Sequence, residues 1–371
     1  MFRLLKLGLC CVAVVAAACG CRMWNEDFSA EGKRITRVYS WGTIRNEEQA
    51  RRYAASGVTD IRVRNKKSFE LAKKYGITPY FGCFTPAGPH PQVMTPEETA
   101  RHNYINGFDL PAEMAKKERR AIIDLRRIEK HHRYGGNRVD KVDTINVKAI
   151  ACFSSDKDLV YSRKKLDAIL DRAIPGTAGI YLDYFGYSNH RGCYCKECQV
   201  RYRFWLKQEK LPDTEANKDR FYRDELIKYY DKIVAYIRSR RPEYKVVAHF
   251  YPDFEPDPWF ANRTQVDVCG QTVSWYFKWQ KRDIARFTRY ILAHEKDYNR
   301  KGEAVPFIGV NVDPRSSLGS KTPADIELEL QTIIAAGGRS LMVCNGSAMI
   351  EPGYFEVFRK YCGRQIADGE K

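Results

Sequence analysis

The sequence predicts an α/β protein, a (β/α)8 TIM barrel with a long insertion after strand 3 and a cysteine-rich loop after strand 4. Two observations indicate this fold. From residue 34 onward, apolar runs of strand length alternate with longer stretches of helical periodicity. Such alternation is typical of parallel strands joined by helices, and eight apolar runs are what a closed barrel requires.

The eight predicted strands are short apolar runs bounded by polar or turn residues. They are "RITRVYSW" (34–41), "TDIRVR" (59–64), "ITPYFGCF" (77–84), "AGIYLDYF" (178–185), "YKVVAHFY" (244–251), "QVDVCGQ" (265–271), "PFIGVNV" (306–312) and "SLMVCNG" (340–346). A doubly wound open sheet is the alternative arrangement. No glycine-rich phosphate loop follows the first strand to support it.

The predicted helices occupy the intervals between the strands: 46–57, 68–76, 196–210, 215–240, 281–298 and 322–338. In the last of them, Thr322 is placed to cap the helix and Pro323 to occupy its first turn. A ninth apolar run, 147–155, falls in the insertion 85–177, and long insertions at this end of a barrel commonly shape the active-site mouth. We expect residues 34–366 to form one domain.

Residues 1–21 have the layout of a secretory signal peptide. A short basic start precedes an apolar stretch, 7–18, that is too short to span a membrane comfortably. Cys19 and Cys21 follow small residues, as the lipid-modified cysteine of bacterial lipoproteins does. We therefore expect export, to the periplasm, the outer membrane as a lipoprotein, or the medium, with membrane contact only through such an anchor.

The composition favours a globular protein over a nucleic-acid binder. Hydrophobic residues make up 44% of the chain, enough to bury a core. The net charge is +17, but the 63 Lys and Arg residues are scattered among 46 acidic ones and no recognition motif accompanies them. This pattern predicts a solvated basic surface without nucleic acid as partner. Affinity for acidic glycans is compatible with the charge, which alone does not show it.

Four of the twelve cysteines lie in residues 1–21, and the informative group among the others is Cys193-x-Cys195-x-x-Cys198. Three thiolates so close in sequence suit one tetrahedral zinc ion. His190 and Cys152 are both candidates for the fourth ligand. Disulfides of an exported protein are the alternative. Four protein ligands leave no position for water, so the predicted zinc is structural, and no organic cofactor is expected.

The cysteine loop resembles that of a known family. The stretch "CYCKECQVRYRFWL" (193–206) is similar to the C-x-C-x-x-C loop of family 42 β-galactosidases, which are (β/α)8 glycosidases, and "ACFSSDKDLVYSRKKLDAIL" (151–170) resembles their upstream zinc segment. The resemblance implies that Cys152, Cys193, Cys195 and Cys198 bind the metal and that His190 does not.

The fourth strand departs from that family. Family 42 enzymes carry Asn-Glu at its end, with the glutamate as acid/base, whereas this chain reads "YLDYFGY" and offers Asp183. Its strand end and cysteine loop together look more like those of uncharacterised glycosidase-like barrels. The resemblance therefore implies a glycosidase barrel without specifying a β-galactosidase.

Glycoside hydrolysis needs two carboxyl groups, about 5 Å apart for retention or 6.5–9.5 Å apart for inversion. Barrels present such groups at the C-terminal ends of their strands. The candidates here are Asp183, Asp253, Glu255 and Asp313. We expect an exported glycoside hydrolase acting on an oligo- or polysaccharide. A barrel that binds glycan without cleaving it is the alternative.

Aromatic and polar side chains that could grip a sugar also concentrate near the predicted strand ends. They are Trp41, Tyr184, Tyr187, His249, Tyr251, Gln271, Trp275, Tyr276 and Asn345. Their accumulation on one side of the barrel, more than any single ring, predicts a carbohydrate site. The sequence makes no prediction about the oligomeric state.

Overall fold

The computed structural model describes residues 34–90, 92–93, 95–105, 107–133, 151–183, 186–187, 192–250, 260–276, 279–297, 302–315 and 319–363. Nine strands occur in these ranges: β1 Arg37–Ser40, β2 Asp60–Val63, β3 Thr78–Phe81, β4 Cys83–Phe84, β5 Gly179–Leu182, β6 Lys245–Phe250, β7 Val268–Ser274, β8 Glu303–Gly309 and β9 Ser340–Cys344. All neighbouring pairs are parallel, in the order β3-β2-β1-β9-β8-β7-β6-β5-β4.

The two strands at the ends of this order are consecutive in sequence. Only Gly82 separates β3 from β4, and its φ of +70° lies in the left-handed region that glycine adopts readily. β3 and β4 are therefore two halves of the predicted third strand, and the sheet closes on itself. The (β/α)8 prediction is confirmed, and the open doubly wound sheet is excluded.

Ten α-helices are described: α1 Glu47–Ala55, α2 Lys66–Lys74, α3 Pro96–Ile105, α4 Lys116–Arg133, α5 Asp156–Leu170, α6 Lys196–Glu209, α7 Glu215–Arg240, α8 Lys281–Ala293, α9 Pro323–Ala335 and α10 Tyr354–Cys362. α9 begins as predicted, because the Thr322 side chain accepts from the Asp325 N–H while Asp325 accepts from the Thr322 N–H. α3 and α4 belong to the insertion after the third strand.

Strand alternation fills the barrel with large side chains. One buried cluster comes from the inward positions: Tyr39, Trp41, Tyr80, Tyr181, Val247, Val268, Val305, Phe307 and Met342. On β7, a Cβ at Gly270 would lie 2.4 Å from the sulfur of Met342, so the thioether takes the space that a side chain would need. The interior is a packed core up to the C-terminal ends of the strands.

Charged and aromatic groups close the N-terminal end of the barrel. Arg37 Nη2 lies 3.1 Å from Asp60 Oδ1, and Arg37 Nε donates to Asp60 Oδ2 at 3.2 Å. Tyr39 donates to Glu303 Oε2 at 3.0 Å. Burial opposes the charge on Arg37, but the hydrogen bond and charge of Asp60 raise its pKa above the ordinary value. Asp60 thus has a partner of opposite sign at this end, and Glu303 accepts a hydrogen bond.

Within the described ranges, none of the helices combines the length and the apolarity that crossing a bilayer requires. The predicted signal peptide, residues 1–21, and the last three residues of the predicted domain, 364–366, lie outside those ranges. Export and the domain limits remain predictions.

Candidate active site and metal centre

Asp183 directly follows β5 at the C-terminal end of the barrel, here called the mouth. Its N–H donates to the carbonyl of Phe84 at 2.8 Å, which extends the pairing of β5 with β4 by one residue. Tyr181 points into the barrel, so alternation directs the Asp183 side chain inward as well. Thr85 Oγ1 lies 3.4 Å from Asp183 Oδ2.

The electrostatic neighbours of Asp183 come from four different parts of the barrel. Burial, and then the charge of Asp183, raise the pKa of Cys83 on β4 to about 12. Burial and Asp183 also raise the pKa values of Cys344, which ends β9, to about 11 and of Tyr276, after β7. On β6, burial lowers the pKa of His249, and the charge of Asp183 partly opposes that shift. The charge of Asp183 therefore acts on groups from β4, β6, β9 and the segment after β7.

Aromatic rings form the wall below this carboxylate. Trp41, directly after β1, packs edge-on against Tyr181 and His249, with ring centroids 5.1 and 4.9 Å apart. Trp275 contacts Phe307 at 5.5 Å. Burial lowers the pKa of His249 to about 4, so its ring is neutral near pH 7. Three predicted sugar-binding residues, Trp41, His249 and Trp275, are thus brought together.

Arg62 is a site residue that the sequence reasoning missed. Its guanidinium carbon lies 5.9 Å from the Trp41 ring centroid, and its buried Nε has no hydrogen-bond partner. It lowers the pKa values of Cys83 and Cys344, the same thiols whose pKa values Asp183 raises. The alternation in "TDIRVR", which places Arg62 on the face of Asp60, is the signal that could have revealed it.

A cavity of about 290 Å³ opens beside Trp41, between the C-terminal ends of β1 and β9. Its other lining residues are Gly42, Thr43, Arg45, Gln49, Tyr53, Asn345, Gly346, Ser347, Ile350 and Glu351. Asn345 adopts a φ of 55° and donates from Nδ2 to the carbonyl of Val310 at 3.0 Å. Trp41 and Asn345, both predicted to bind sugar, therefore border one polar cavity at the mouth.

Two predicted sugar-binding residues lie away from the mouth. Tyr187 is buried against Phe153 and donates to the carbonyl of Tyr222 at 3.1 Å. Gln271 is also buried, and its Nε2 donates to Asn262 Oδ1 at 2.6 Å. Both connect the barrel to its outer layer, and Gln271 points outward because it follows the inward position of Gly270. Neither residue is part of the proposed sugar site.

Asp313 lies in an exposed turn after β8. Its Oδ1 accepts from the backbone N–H of Arg315 at 3.0 Å and from Arg315 Nε at 3.1 Å, and these hydrogen bonds lower its pKa. Such contacts are typical of an aspartate that stabilises a turn. The remaining predicted site residues, Tyr184, Tyr251, Asp253 and Glu255, lie outside the described residues and stay predictions.

The thiols of Cys152, Cys193, Cys195 and Cys198 form a compact cluster, with all four sulfur atoms within 4.8 Å of one another. Cys152 Sγ lies 3.3 Å from Cys198 Sγ and 3.9 Å from Cys195 Sγ. Tetrahedral zinc with 2.3 Å bonds places its sulfurs about 3.8 Å apart. All four cysteines are free, so the disulfide alternative does not describe this structure. The cluster is suited to a metal ion.

The surrounding backbone favours negative charge on these sulfurs. Cys195 is the N-cap of α6 and Cys198 lies in its first turn, where the helix dipole stabilises anions. Hydrogen bonds from Cys152 and Cys198, and a further one from the N–H of Val93, lower the pKa of Cys193 to about 2. The same shared hydrogen bonds raise the pKa values of Cys152 and Cys198, so Cys193 is the thiolate of the cluster when no cation is bound.

Asp158, which the sequence reasoning did not single out, supports the cluster from behind. Its fully buried carboxylate accepts from the N–H of Cys152 and from the N–H of His90, both at 3.1 Å. A Cβ at Gly88 would lie 2.1 Å from Asp158 Oδ1, so this approach needs glycine. Asp158 thereby ties the loop after β4 to the segment that carries Cys152.

Gln92 links the cysteine cluster to the candidate active site. Its buried Nε2 donates to the carbonyl of Ala151 at 3.0 Å and contacts the carbonyl of Gly186 at 3.4 Å. Ala151 precedes Cys152, and Gly186 comes three residues after Asp183. On the opposite side, Tyr222 donates to the carbonyl of Cys193 at 2.9 Å. The cysteine cluster therefore holds the loop that leaves the mouth.

No protein-family model matches the chain, and no curated protein matches it. Among solved structures, it is similar to the glycoside hydrolase domain of PgaB (BpsB) from Bordetella bronchiseptica, with a TM-score of 0.52 and 9% identity over 90% of this chain and 99% of that one. It is also similar to a β-galactosidase from the psychrophilic Marinomonas ef1, with a TM-score of 0.50 and 14% identity over 83% of this chain.

The chain spans about half of that β-galactosidase, 53% of its length. At these identities the likeness shows the fold alone, a (β/α)8 barrel shared with these two glycosidases. The resemblance expected from the cysteine loop is confirmed at this level.

Proposed function

We propose that the protein is a glycoside hydrolase in which Asp183 is one of two catalytic carboxylates. The observation that carries the proposal is that Asp183 directly follows the fourth barrel strand, with its N–H on the carbonyl of Phe84 and its side chain directed inward at the mouth. The second carboxylate would be Asp253 or Glu255, which follow β6, the strand next to β5. One would act as nucleophile or base and the other as general acid.

An oligo- or polysaccharide is the proposed substrate. The rings of Trp41 and Trp275 suit the apolar faces of sugar rings, and the polar cavity beside Trp41 suits their hydroxyl groups. The glycoside hydrolase barrels named above support the same substrate class. The Asp183 side chain, in place of Asn-Glu, argues against assigning β-galactosidase activity in particular.

A glycan panel assayed for released sugar tests this proposal. Asp183→Asn should lower the rate at least about 10²- to 10⁴-fold, because a carboxamide cannot transfer protons or attack a sugar. Asp253→Asn and Glu255→Gln should identify the second carboxylate. If the wild type binds a glycan but cleaves none, and Asp183→Asn leaves that binding intact, the protein is a glycan-binding barrel and the hydrolase proposal fails.

The metal is proposed to be a structural zinc ion held by the four clustered cysteines. Four thiolates leave no coordination position for water or substrate, so the ion would stabilise the loop that contains Cys193 rather than take part in the reaction. Metal analysis of the purified protein should find about one zinc ion per chain, and Cys198→Ser should lose it. A metal-free protein with two disulfides among these cysteines would contradict the assignment.

Export by the signal peptide of residues 1–21 is the third proposal. Mass spectrometry of the protein purified from its natural host should find a mature chain that begins near the end of this segment. A diacylglycerol-modified Cys19 or Cys21 would identify a lipoprotein, and an unmodified N-terminus would identify simple secretion. A full-length chain that retains Met1 would contradict export.

A further inference from the structure

We propose that the mouth binds an anionic glycan and that Arg62 holds the carboxylate or sulfate group of that glycan. This inference names the substrate class of the proposed hydrolase, and it rests on that function for cleavage but not for binding. The uronic acids and the sulfated sugars are the two sources of such a group.

The position of Arg62 inside the barrel follows from its neighbours. Ile61 and Val63 are fully buried in the cluster that packs the outer face of the barrel against the helices. Arg62 lies between them on β2, so its side chain takes the inward direction, and its guanidinium approaches the Trp41 ring. It thus lies in the same mouth as Asp183.

Within the described ranges, no carboxylate forms an ion pair with the guanidinium of Arg62. Its Nε is buried without a hydrogen-bond partner, and its hydrogen bond with Cys83 reaches a thiol that burial keeps neutral. A buried cation without a counter-ion is costly, and arginine presents a planar donor pair that matches carboxylate and sulfate oxygens. An anionic group of the ligand would supply the missing partner.

Two more arginines surround this position. Arg64 directly follows β2, and Arg45 lines the cavity beside Trp41. Neither arginine forms an ion pair with a residue in the described ranges. Among the described residues, the acidic groups nearby are Asp183 in the mouth and Glu351 on the cavity wall. Neither of them forms an ion pair with Arg62.

Arg62 and the catalytic carboxylate belong to the same mouth. The charges of Asp183 and Arg62 both shift the pKa values of Cys83 and Cys344, so both lie near these two thiols. A glycan whose acid group pairs with Arg62 would therefore lie close to Asp183.

Isothermal titration calorimetry in the non-hydrolysing Asp183→Asn background tests the inference. The probes are oligogalacturonate and oligoglucuronate, their neutral galactose and glucose counterparts, and a sulfated galactan. At least one anionic set should bind more tightly than its neutral counterpart, and the set that does so distinguishes carboxylate from sulfate.

Arg62→Gln should weaken the anionic glycan about ten- to hundredfold, the effect of losing a charge-assisted hydrogen-bonded pair. Arg62→Lys should restore part of the affinity, because it keeps the charge but not the planar donor pair. The matched control is Arg203→Gln on the outer helix α6, which removes the same net charge far from the mouth and should bind like the parent. Circular dichroism checks that each variant is folded.

Equal affinity for the neutral and anionic members of every pair would overturn the inference. An equal loss of affinity in Arg62→Gln and Arg203→Gln would also overturn it, since only the overall charge would then matter. If Arg62-dependent binding of an anionic glycan occurs but the wild type cleaves none of the probes, the inference stands and the hydrolase proposal fails. If the wild type cleaves only neutral glycans, the hydrolase proposal stands and the inference fails.

Discussion

At the N-terminal end of the barrel, the inward-facing Arg37 is paired with Asp60, and Tyr39 beside it donates to Glu303. At the mouth, Arg62 also faces inward from the neighbouring strand, but no described carboxylate pairs with it. An inward-facing arginine is thus paired with a carboxylate at the N-terminal end and has no such partner among the described residues at the mouth.

This difference separates structural from functional charge. A charge that the protein itself neutralises stabilises the closed end, and removing its partner should lower the free energy of unfolding. A charge left open in a cleft contributes little to stability and is available to a ligand. Changes at the mouth should therefore alter binding and catalysis, whereas changes at the N-terminal end should alter stability.

The largest expected effect is that of Asp183→Asn on turnover, with the free energy of unfolding almost unchanged. Asp183 lies at the open end, so its loss removes a reacting group rather than a packing contact. Parallel measurements of initial rate and urea-induced unfolding check this. If the substitution destabilised the protein as much as a change at Asp60 does, the carboxylate would be structural and the comparison would not hold.

The buried His249 should make the protein less stable in acid. Its folded-state pKa is lowered to about 4 by burial, whereas an unfolded histidine titrates near 6.5. The contribution of His249 to the free energy of unfolding is fully present above pH 6.5. It is lost as pH falls toward 4, because in this range only the unfolded state takes up the proton. The loss is on the order of 3 kcal/mol.

Urea unfolding between pH 7 and 4 measures this contribution, with His249→Gln as the reference protein. The difference between the two stability curves isolates the histidine from the other groups that titrate in acid. If the two proteins lost stability equally over this range, His249 would take up its proton as readily in the folded protein as in the unfolded chain.

A smaller effect is expected for Asp60→Asn at the closed end. The substitution removes the charge that pairs with Arg37, whose side chain is 38% exposed and keeps partial access to water. We expect a loss of about 1.5–3 kcal/mol in unfolding free energy, the value typical of a charged hydrogen bond. The sugar affinity of the mouth, measured by calorimetry, should not change. A change in affinity would mean that the two ends are coupled.

The smallest effect is expected for Asp313→Asn. Asp313 is exposed and its contacts are confined to the turn with Arg315, so turnover and glycan affinity should match those of the wild type. The assay is the one used for Asp183→Asn, and both variants replace a carboxylate by its amide. A large loss of activity would restore Asp313 as a catalytic candidate.

The fold could be predicted from sequence because each strand carries its own apolar signal. All eight predicted runs contain strands, but the break at Gly82 in the third was missed, since only the backbone conformation reveals it. The strand predicted from Pro306 begins at Glu303 instead. Pro306 lies inside β8, so the polar and small residues before it belong to the strand although they carry no apolar run.

The site was less predictable because its geometry joins distant segments. Asp183 and the cysteines of the 193–198 loop were identified from residue type and spacing, and the resemblance to a known loop selected Cys152 over His190. Arg62 becomes notable only when its Nε is seen to lack a hydrogen-bond partner, and Asp158 only when the loop containing His90 is brought beside it. Gln271 was predicted at the mouth because it ends its apolar run, whereas β7 continues to Ser274 and Gln271 points outward.

The amide of Gln92 has a mechanical consequence. Its one nitrogen contacts both Ala151, beside Cys152, and Gly186, three residues after Asp183. A displacement of the Cys152 segment, as on loss of a metal held by the cysteines, would therefore be transmitted through a single amide toward the proposed catalytic carboxylate.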